Sequence, residues 1–481
     1  MSPECSSGTA RSTDAPTPVN MDGQALLETY AKMMIPMFPF IPIPSHMSVE
    51  ELRRERPFLY LNISMITSPN PARQQELSNT IKKYLADRII MRGERSLDLL
   101  QGLLVHLTWF ISVSRLHQTN FSGPIDGPAP NSNLPPKQPT QGTAQLDAFL
   151  HLAMAQTISL GLNQDPSSTK TMNQPIAYLS QVDLHRDRTP SRTMEDRRTY
   201  LGCYYTMMML SVCAKDMESF RFTKYTDECC KILDESPELP SDRYLVQLVR
   251  TVHLAENINH TITVDEAVEY SMLITLGNAK AILSFHYDTL EMLLYHSSLS
   301  REISDTDYGN YPVTRLDILY RCLEATKSFF HHLYTLPAVY FRFLPFTISS
   351  QFGQAVVTLS RLTLYQSENG AWDTTYVKNT IEFDQTVDTL GQKLDEARAL
   401  LEQDQSSSTE PPEIFKRLAT RIKMMKDMHR RRQDAQEKTA QSQAVEHPCD
   451  MNYMFNMPAD FFITDADFFD FAESFYAAGV M

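Results

Sequence analysis

The chain has 481 residues, of which 42% are hydrophobic, and it carries a formal net charge of −14 at pH 7. This length suffices for one large or two medium domains with a substantial core. The acidic balance disfavours nucleic-acid binding by the whole surface. The 15 glycines form neither GxGxxG nor GxxxxGK[ST], which disfavours the nucleotide-binding α/β folds that need such turns.

The cysteine pattern indicates reduced thiols in an intracellular protein. The number is odd, the spacing is irregular and no CxxC pair occurs, so neither a disulfide framework nor a zinc site is predicted. The N-terminus lacks the apolar region of a secretory signal, and no run of 18 apolar residues predicts a membrane-spanning helix. The cysteines are Cys5, Cys203, Cys213, Cys229, Cys230, Cys322 and Cys449.

The N-terminal part begins with a polar stretch, residues 1–20, that we expect to be disordered. Residues 26–40 are apolar, but Pro36 and Pro39 forbid a regular helix beyond Ile35, so this stretch is predicted to be an extended arm lying on the domain. Helices are predicted over residues 57–67 and 73–91. Ser96 is predicted to cap a strongly apolar third helix that forms a hairpin with the second.

Two helices separated by a polar insertion come next. Residues 120–143 contain six prolines and are predicted to be a loop, as are residues 167–192. The first helix opens near Gln145 and ends at Gly161, which stands where a left-handed residue is favoured. Thr193 is predicted to cap the second. The predicted buried faces are Leu146, Phe149, Leu150, Ala153 and Ile158 in the first helix, and Leu201, Tyr205, Met208 and Val212 in the second.

Helical periodicity continues to residue 401, and no strand-like alternation of useful length appears. Further helices are predicted from Ser241 and over residues 266–295, 315–336, 348–365 and 383–401. The predicted fold class is therefore all-α, with one large helical body over residues 21–401. A linker (402–412), a basic segment (413–438) and an acidic-aromatic tail (439–481) follow.

The order of these helical motifs resembles the fungal transcription-factor regulatory domain, the middle homology region of zinc binuclear-cluster regulators in the leucine-regulator and weak-acid-response branch. Leu-Gly-Leu closes one helix, and Glu195, Arg197-Arg198 and an aromatic at Tyr200 open the next. Tyr200 stands where many relatives carry Trp, and the zinc cluster itself is absent, so the resemblance does not imply direct DNA binding by this chain. The neighbouring similar motifs are RPFLYLNI (56–63), SLDLLQGLLVHLTWF (96–110), TKYTDECCKIL (223–233) and SDRYLVQLVR (241–250).

No catalytic or metal-binding residue is predicted. His331 and His332 are adjacent, so their side chains diverge on a helix, and Leu336 stands where the HHxxxD motif would place Asp. Cys229 and Cys230 are likewise adjacent and cannot easily converge on one tetrahedral ion. The acids at 216, 218, 227 and 228 have no His or nucleophile at motif spacing. We expect structural roles for all of them, and no cofactor.

The basic segment has three interpretations. It could be the end of a solvated helix, where cations are favoured, a nuclear-import signal, or a phosphate-contacting patch. Asp427 is the one acid among its cations between residues 414 and 432. The import candidates are Lys416, Arg417, Arg421, Lys423, Lys426, Arg430, Arg431 and Arg432.

The C-terminal tail interleaves acids with aromatics and contains no Lys or Arg after Lys438. It could be a last amphipathic helix docked on the body. Alternatively, it could be a disordered activation segment whose acids keep the aromatics solvated until they fold into a coactivator groove. The predicted anchors are Phe461, Phe462, Phe468, Phe469, Phe471 and Phe475.

The resemblance, together with the basic segment and the tail, implies a nuclear regulator of RNA polymerase II transcription, an activator of a metabolic or secondary-metabolite gene cluster. Its expected partners are coactivator or Mediator-type proteins and a second subunit in a homo- or heterodimer. DNA would be reached only indirectly or through a missing N-terminal zinc cluster, and no membrane is involved. A helical interaction scaffold without transcriptional activity is the competing class, and an enzyme lacks any supporting motif.

Overall fold

A computed structural model describes residues 23–109, 141–166, 192–213, 220–260, 280–296, 315–365, 372–404, 426–427 and 429–434. Over these ranges the backbone forms helices and no strand, which confirms the predicted all-α class. The predicted disordered N-terminus, the two loops apart from their ends and the tail lie outside the described residues.

Fourteen α-helices occur in the described ranges. They are α1 (Gly23–Thr29), α2 (Val49–Glu55), α3 (Pro57–Thr67), α4 (Pro71–Leu85), α5 (Leu97–Thr108), α6 (Gln141–Ser159), α7 (Met194–Cys213), α8 (Lys224–Glu235), α9 (Asp242–His260), α10 (Lys280–His296), α11 (Arg315–Thr335), α12 (Phe346–Leu364), α13 (Thr374–Thr380) and α14 (Phe383–Asp404). π-helical turns at Tyr30–Met34 and Ala86–Met91 and a 3-10 helix at Ala338–Phe343 complete them.

Helix α7 is the centre of the packing. Every residue from Tyr200 to Leu210 is buried, and the helix contacts α5, α6, α8, α9 and α12. The predicted stripe of Leu201, Tyr205 and Met208 is therefore confirmed, but it is only part of the buried surface. A helix that is apolar on all sides can be stable only when it is surrounded. The side chain of Val212 lies outside the description.

The N-terminal arm enters the core instead of lying on its surface. Helix α1 and the π-helical turn end at Met34, and the following residues Phe38, Phe40 and Ile41 are each only 1% exposed. The ring of Phe40 stacks on Tyr205 with centroids 5.0 Å apart. A Cβ at Gly202 would lie 2.7 Å from the Phe40 Cβ, so glycine permits this close approach.

The predicted caps are present. The Ser96 side chain accepts from the Leu99 N–H, and Thr193 Oγ1 accepts from the Asp196 N–H at 3.0 Å. Gly161 has φ of +64°, and the Gly161 and Leu162 N–H groups bond to the Ile158 and Thr157 carbonyls. These two bonds define a Schellman motif.

Two predictions for α6 need correction. The helix begins at Gln141 and not near Gln145, because no proline lies between these positions to end it. Ile158 is 49% exposed, whereas Leu146, Phe149, Leu150 and Ala153 are buried as predicted. Thr157, 0% exposed, takes the inward position one turn after Ala153, so Ile158 points away.

Candidate functional site: the basic segment on the helical body

Helices α12 and α14 form the part of the body that receives the basic segment. In α14, Phe383, Val387, Leu390 and Leu394 recur at helical spacing and are buried, which fixes the rotation of the helix. Asp384 and Asp388 follow two of these core residues and lie one turn apart. Their side chains keep 32% and 58% of their exposure, so this edge of α14 presents two carboxylates to solvent.

Two of the predicted import cations bind these carboxylates. Lys426 Nζ lies 2.7 Å from Asp388 Oδ2, and Arg430 Nη2 lies 2.9 Å from Asp384 Oδ2. Arg431 is exposed, and Arg432 is half-buried with interactions of its own. The other predicted cations, Lys416, Arg417, Arg421 and Lys423, lie outside the described residues.

His429 lies between the two cations and is the residue that sequence analysis missed. It is 7% exposed, its Nδ1 is 3.0 Å from Ser360 Oγ of α12, and its ring stacks on Phe383 with centroids 3.9 Å apart. Burial lowers the pKa of His429 to about 4, so the bound imidazole is neutral at physiological pH. Nothing in the local sequence marks His429 as a buried contact residue, because its partners Phe383 and Ser360 lie 46 and 69 residues earlier in the chain.

The predicted activation anchors at residues 461, 462, 468, 469, 471 and 475 all lie outside the described residues.

The arrangement of the polar cluster around His332 is that of structural contacts. Asp288 accepts from His332 Nδ1 at 2.7 Å, and it also interacts with Ser328, so the carboxylate stands between the hydroxyl and the imidazole. A nucleophilic serine needs the imidazole in that middle position. Desolvation raises the pKa of Asp288 to about 6.

The adjacent thiols Cys229 and Cys230 are buried, and burial raises their pKa values to about 11 and about 12. They are therefore protonated and unreactive at physiological pH. Among the described side chains no three His, Cys, Asp or Glu residues converge as metal ligands would. None of the described helices combines the length and apolar character needed to cross a bilayer.

Comparisons with known proteins place the site in context. A family model described as a C-terminal domain (ATEG07667_C) matches residues 339–474, a range that includes α12, α14, the basic segment and most of the tail. The docking helices and the segment they receive therefore lie within one matched unit. No solved structure matches the chain.

The relatives are fungal proteins. Transcription factor opdL of Penicillium oxalicum is 29% identical over 381 residues, which cover 74% of this chain and 62% of that protein. Transcription factor himD of Aspergillus japonicus is 29% identical, with coverage of 48% and 34%. Transcription factor pbcR of Emericella nidulans is 24% identical, with coverage of 51% and 30%. The chain thus spans less than two thirds of the length of each, and it is related to fungal transcription factors, as the order of its helical motifs predicts.

Proposed function

We propose that this chain regulates transcription of RNA polymerase II genes in the nucleus, as an activator of a metabolic or secondary-metabolite biosynthetic gene cluster. The observation that carries the proposal is the similarity to proteins named as transcription factors, which for opdL extends over 74% of the chain. In this proposal the helical body is the regulatory part, the basic segment supports nuclear import, and the tail recruits the transcription machinery. The chain is not proposed to be an enzyme.

Contact with DNA is proposed to come from elsewhere. The sequence contains no CxxC pair from which a zinc cluster could be built, and its net charge of −14 opposes binding to phosphate by the general surface. A zinc cluster outside this chain, or a partner subunit in a homo- or heterodimer, would place a helix in the major groove. No cofactor is assigned to this chain.

The tail is proposed to bind coactivator or Mediator-type proteins through its phenylalanines. A disordered segment must offset an ordering cost of roughly 2–5 kcal/mol when it binds. Fully burying one phenylalanine contributes about 1.5–3 kcal/mol, so two or three of them suffice for a weak, reversible complex. The acids keep the segment open and steer it towards basic surfaces.

This proposal predicts that residues 450–481 activate a reporter when they are fused to a foreign DNA-binding domain. Replacing Phe468, Phe469 and Phe471 by alanine is expected to abolish activation, because the apolar anchors are lost. Replacing Asp465 and Asp467 by asparagine is the matched change in the same stretch, and it is expected only to reduce activation. Reporter output normalised to the amount of fusion protein is the measurement.

A triple alanine variant as active as the parent would refute the anchor role of the phenylalanines. A parent tail with no activity would favour the alternative function, a helical interaction scaffold without transcriptional activity, and with it a tail docked on the body.

A further inference from the structure

The described part of the basic segment runs antiparallel to α14 in matching register. Lys426 and Arg430 are four residues apart, and so are their partners Asp388 and Asp384, in the opposite order along the chain. Residues separated by four lie on one face of a helix, so one face of the segment meets one edge of α14 through two ion pairs. These pairs join residues that are 38 and 46 positions apart, so they fold the segment back onto the body.

His429 fills a socket between these ion pairs. Its Ser360 partner is 1% exposed and its Phe383 partner is 4% exposed, so both belong to the core of the body. Stacking on Phe383 and the hydrogen bond with Ser360 suit a neutral ring. A protonated ring would be buried beside three cations, Lys378, Arg430 and Arg432, and one carboxylate, that of Asp384. The socket therefore favours a neutral polar aromatic ring with cations on both sides in the sequence. His429, between Lys426 and Arg430, provides this combination.

We propose that Asp384, Asp388, Ser360 and Phe383 form an intramolecular docking site that holds the described part of the basic segment, within residues 426–434, against the body. Lys426, only 15% exposed, and Arg430 are already neutralised by carboxylates. An acidic partner that binds Lys426 and Arg430 must displace Asp388 and Asp384 first. The docking site thus acts as an autoinhibitory latch on the basic segment. Its effect on nuclear entry rests on the proposed function, but the latch itself does not.

Hydrogen exchange of residues 426–434 in the full chain tests the latch. The variant D384N/D388N removes both carboxylate charges and keeps the side-chain shapes. Two ion pairs of ordinary strength correspond to roughly 2- to 30-fold in the equilibrium between docked and released segment, so exchange is expected to accelerate by that factor. Exchange in α7 should not change, because the fold of the body does not depend on these surface carboxylates.

The matched control is D395N/E396Q, which removes two charges from the same helix. Asp395 and Glu396 are 69% and 58% exposed and pair with Arg398 and Lys393 within α14. This control is expected to exchange at residues 426–434 as the parent does. Equal exchange rates in the parent, D384N/D388N and the control would overturn the latch, whatever the localisation of the variants.

A fluorescent fusion of the full chain then separates the latch from the import role. If the segment is an import signal, D384N/D388N should raise the nuclear fraction above that of the parent and of D395N/E396Q. Faster exchange with an unchanged nuclear fraction would confirm the latch and overturn the import role assigned to the segment under the proposed function.

Discussion

Asp242 connects three parts of the fold through one buried carboxylate. Its oxygens lie 2.7 Å and 2.9 Å from the Arg198 guanidinium of α7, and they also accept from the Glu238 and Leu239 N–H groups that precede α9. The two side chains are 0% and 5% exposed. A buried ion pair whose remaining hydrogen-bonding capacity is satisfied is costly to break from one side only.

Asp242→Ala is therefore expected to lower the free energy of unfolding by about 3–5 kcal/mol, because the buried Arg198 charge keeps only the exposed Glu238 carboxylate and two backbone N–H groups lose their acceptor. Glu76→Ala is the control, since Glu76 pairs with Arg73 on the surface and is 64% exposed; exposed pairs contribute about 0–1 kcal/mol. Urea denaturation of both variants measures the difference. A cost for Asp242→Ala no larger than that for Glu76→Ala would contradict this role.

At the same scale, contacts between near neighbours in the chain are predictable from the sequence. The caps at Ser96 and Thr193 were predicted correctly because donor and acceptor are three residues apart. The Arg198–Asp242 pair spans 44 residues, and no local pattern marks it. Ile158 was wrongly assigned to the buried face, because an error of one residue in helical spacing rotates a side chain by about 100° around the helix axis.

At the scale of the elements, the existence of the helices followed from the periodicity of the apolar residues. The contacts between the elements did not. Residues 26–40 were correctly predicted to leave the helical conformation at their prolines. Their depth of burial was not predicted, because the space for Phe40 is made by Gly202, more than 160 residues later. The cations of the basic segment were identified from composition, whereas its docking on α14 depends on tertiary placement.

The docked segment should respond to pH through His429. Its pKa is about 4 when docked and has the ordinary value of 6.5 when released. The released form therefore binds more protons between these values, so docking weakens as the pH falls from about 6.5 towards 4. The groups that face the ring are Asp384 from α14, Lys378 from α13, Ser360 from α12, and Arg430 and Arg432 from the segment.

At pH 5 linkage predicts release favoured by about 30-fold relative to pH 8. Hydrogen exchange of residues 426–434, corrected for the intrinsic pH dependence of exchange, measures this change. His429→Gln retains a hydrogen-bonding group for Ser360 but does not titrate, so its corrected exchange should be nearly independent of pH. An equal pH response in parent and His429→Gln would assign the effect to other groups.

The whole molecule contains two clusters of buried side chains that share helices. The larger surrounds α7 and includes Trp109, and the smaller includes Leu319, Leu323 and Trp372. Helices α9, α10, α11 and α12 contribute to both, as Phe285 and Leu290 of α10 illustrate. A helix that loses its packing in one cluster cannot easily keep its packing in the other. The two clusters should therefore unfold together.

The two tryptophans of the chain make this cooperativity measurable, since each cluster contains one. In a Trp372→Phe background only Trp109 of the larger cluster reports. Leu319→Ala, at a side chain that is 0% exposed in the smaller cluster, should cost about 2–5 kcal/mol through the cavity it leaves. The transition seen by Trp109 fluorescence should move to lower urea by the same amount as the helical circular dichroism signal.

Leu400→Ala, at a residue that is 43% exposed on α14, is the control and should hardly move either signal. A Trp109 transition that stays in place while the circular dichroism transition splits would show that the smaller cluster unfolds alone, and that the bridging helices do not transmit its loss.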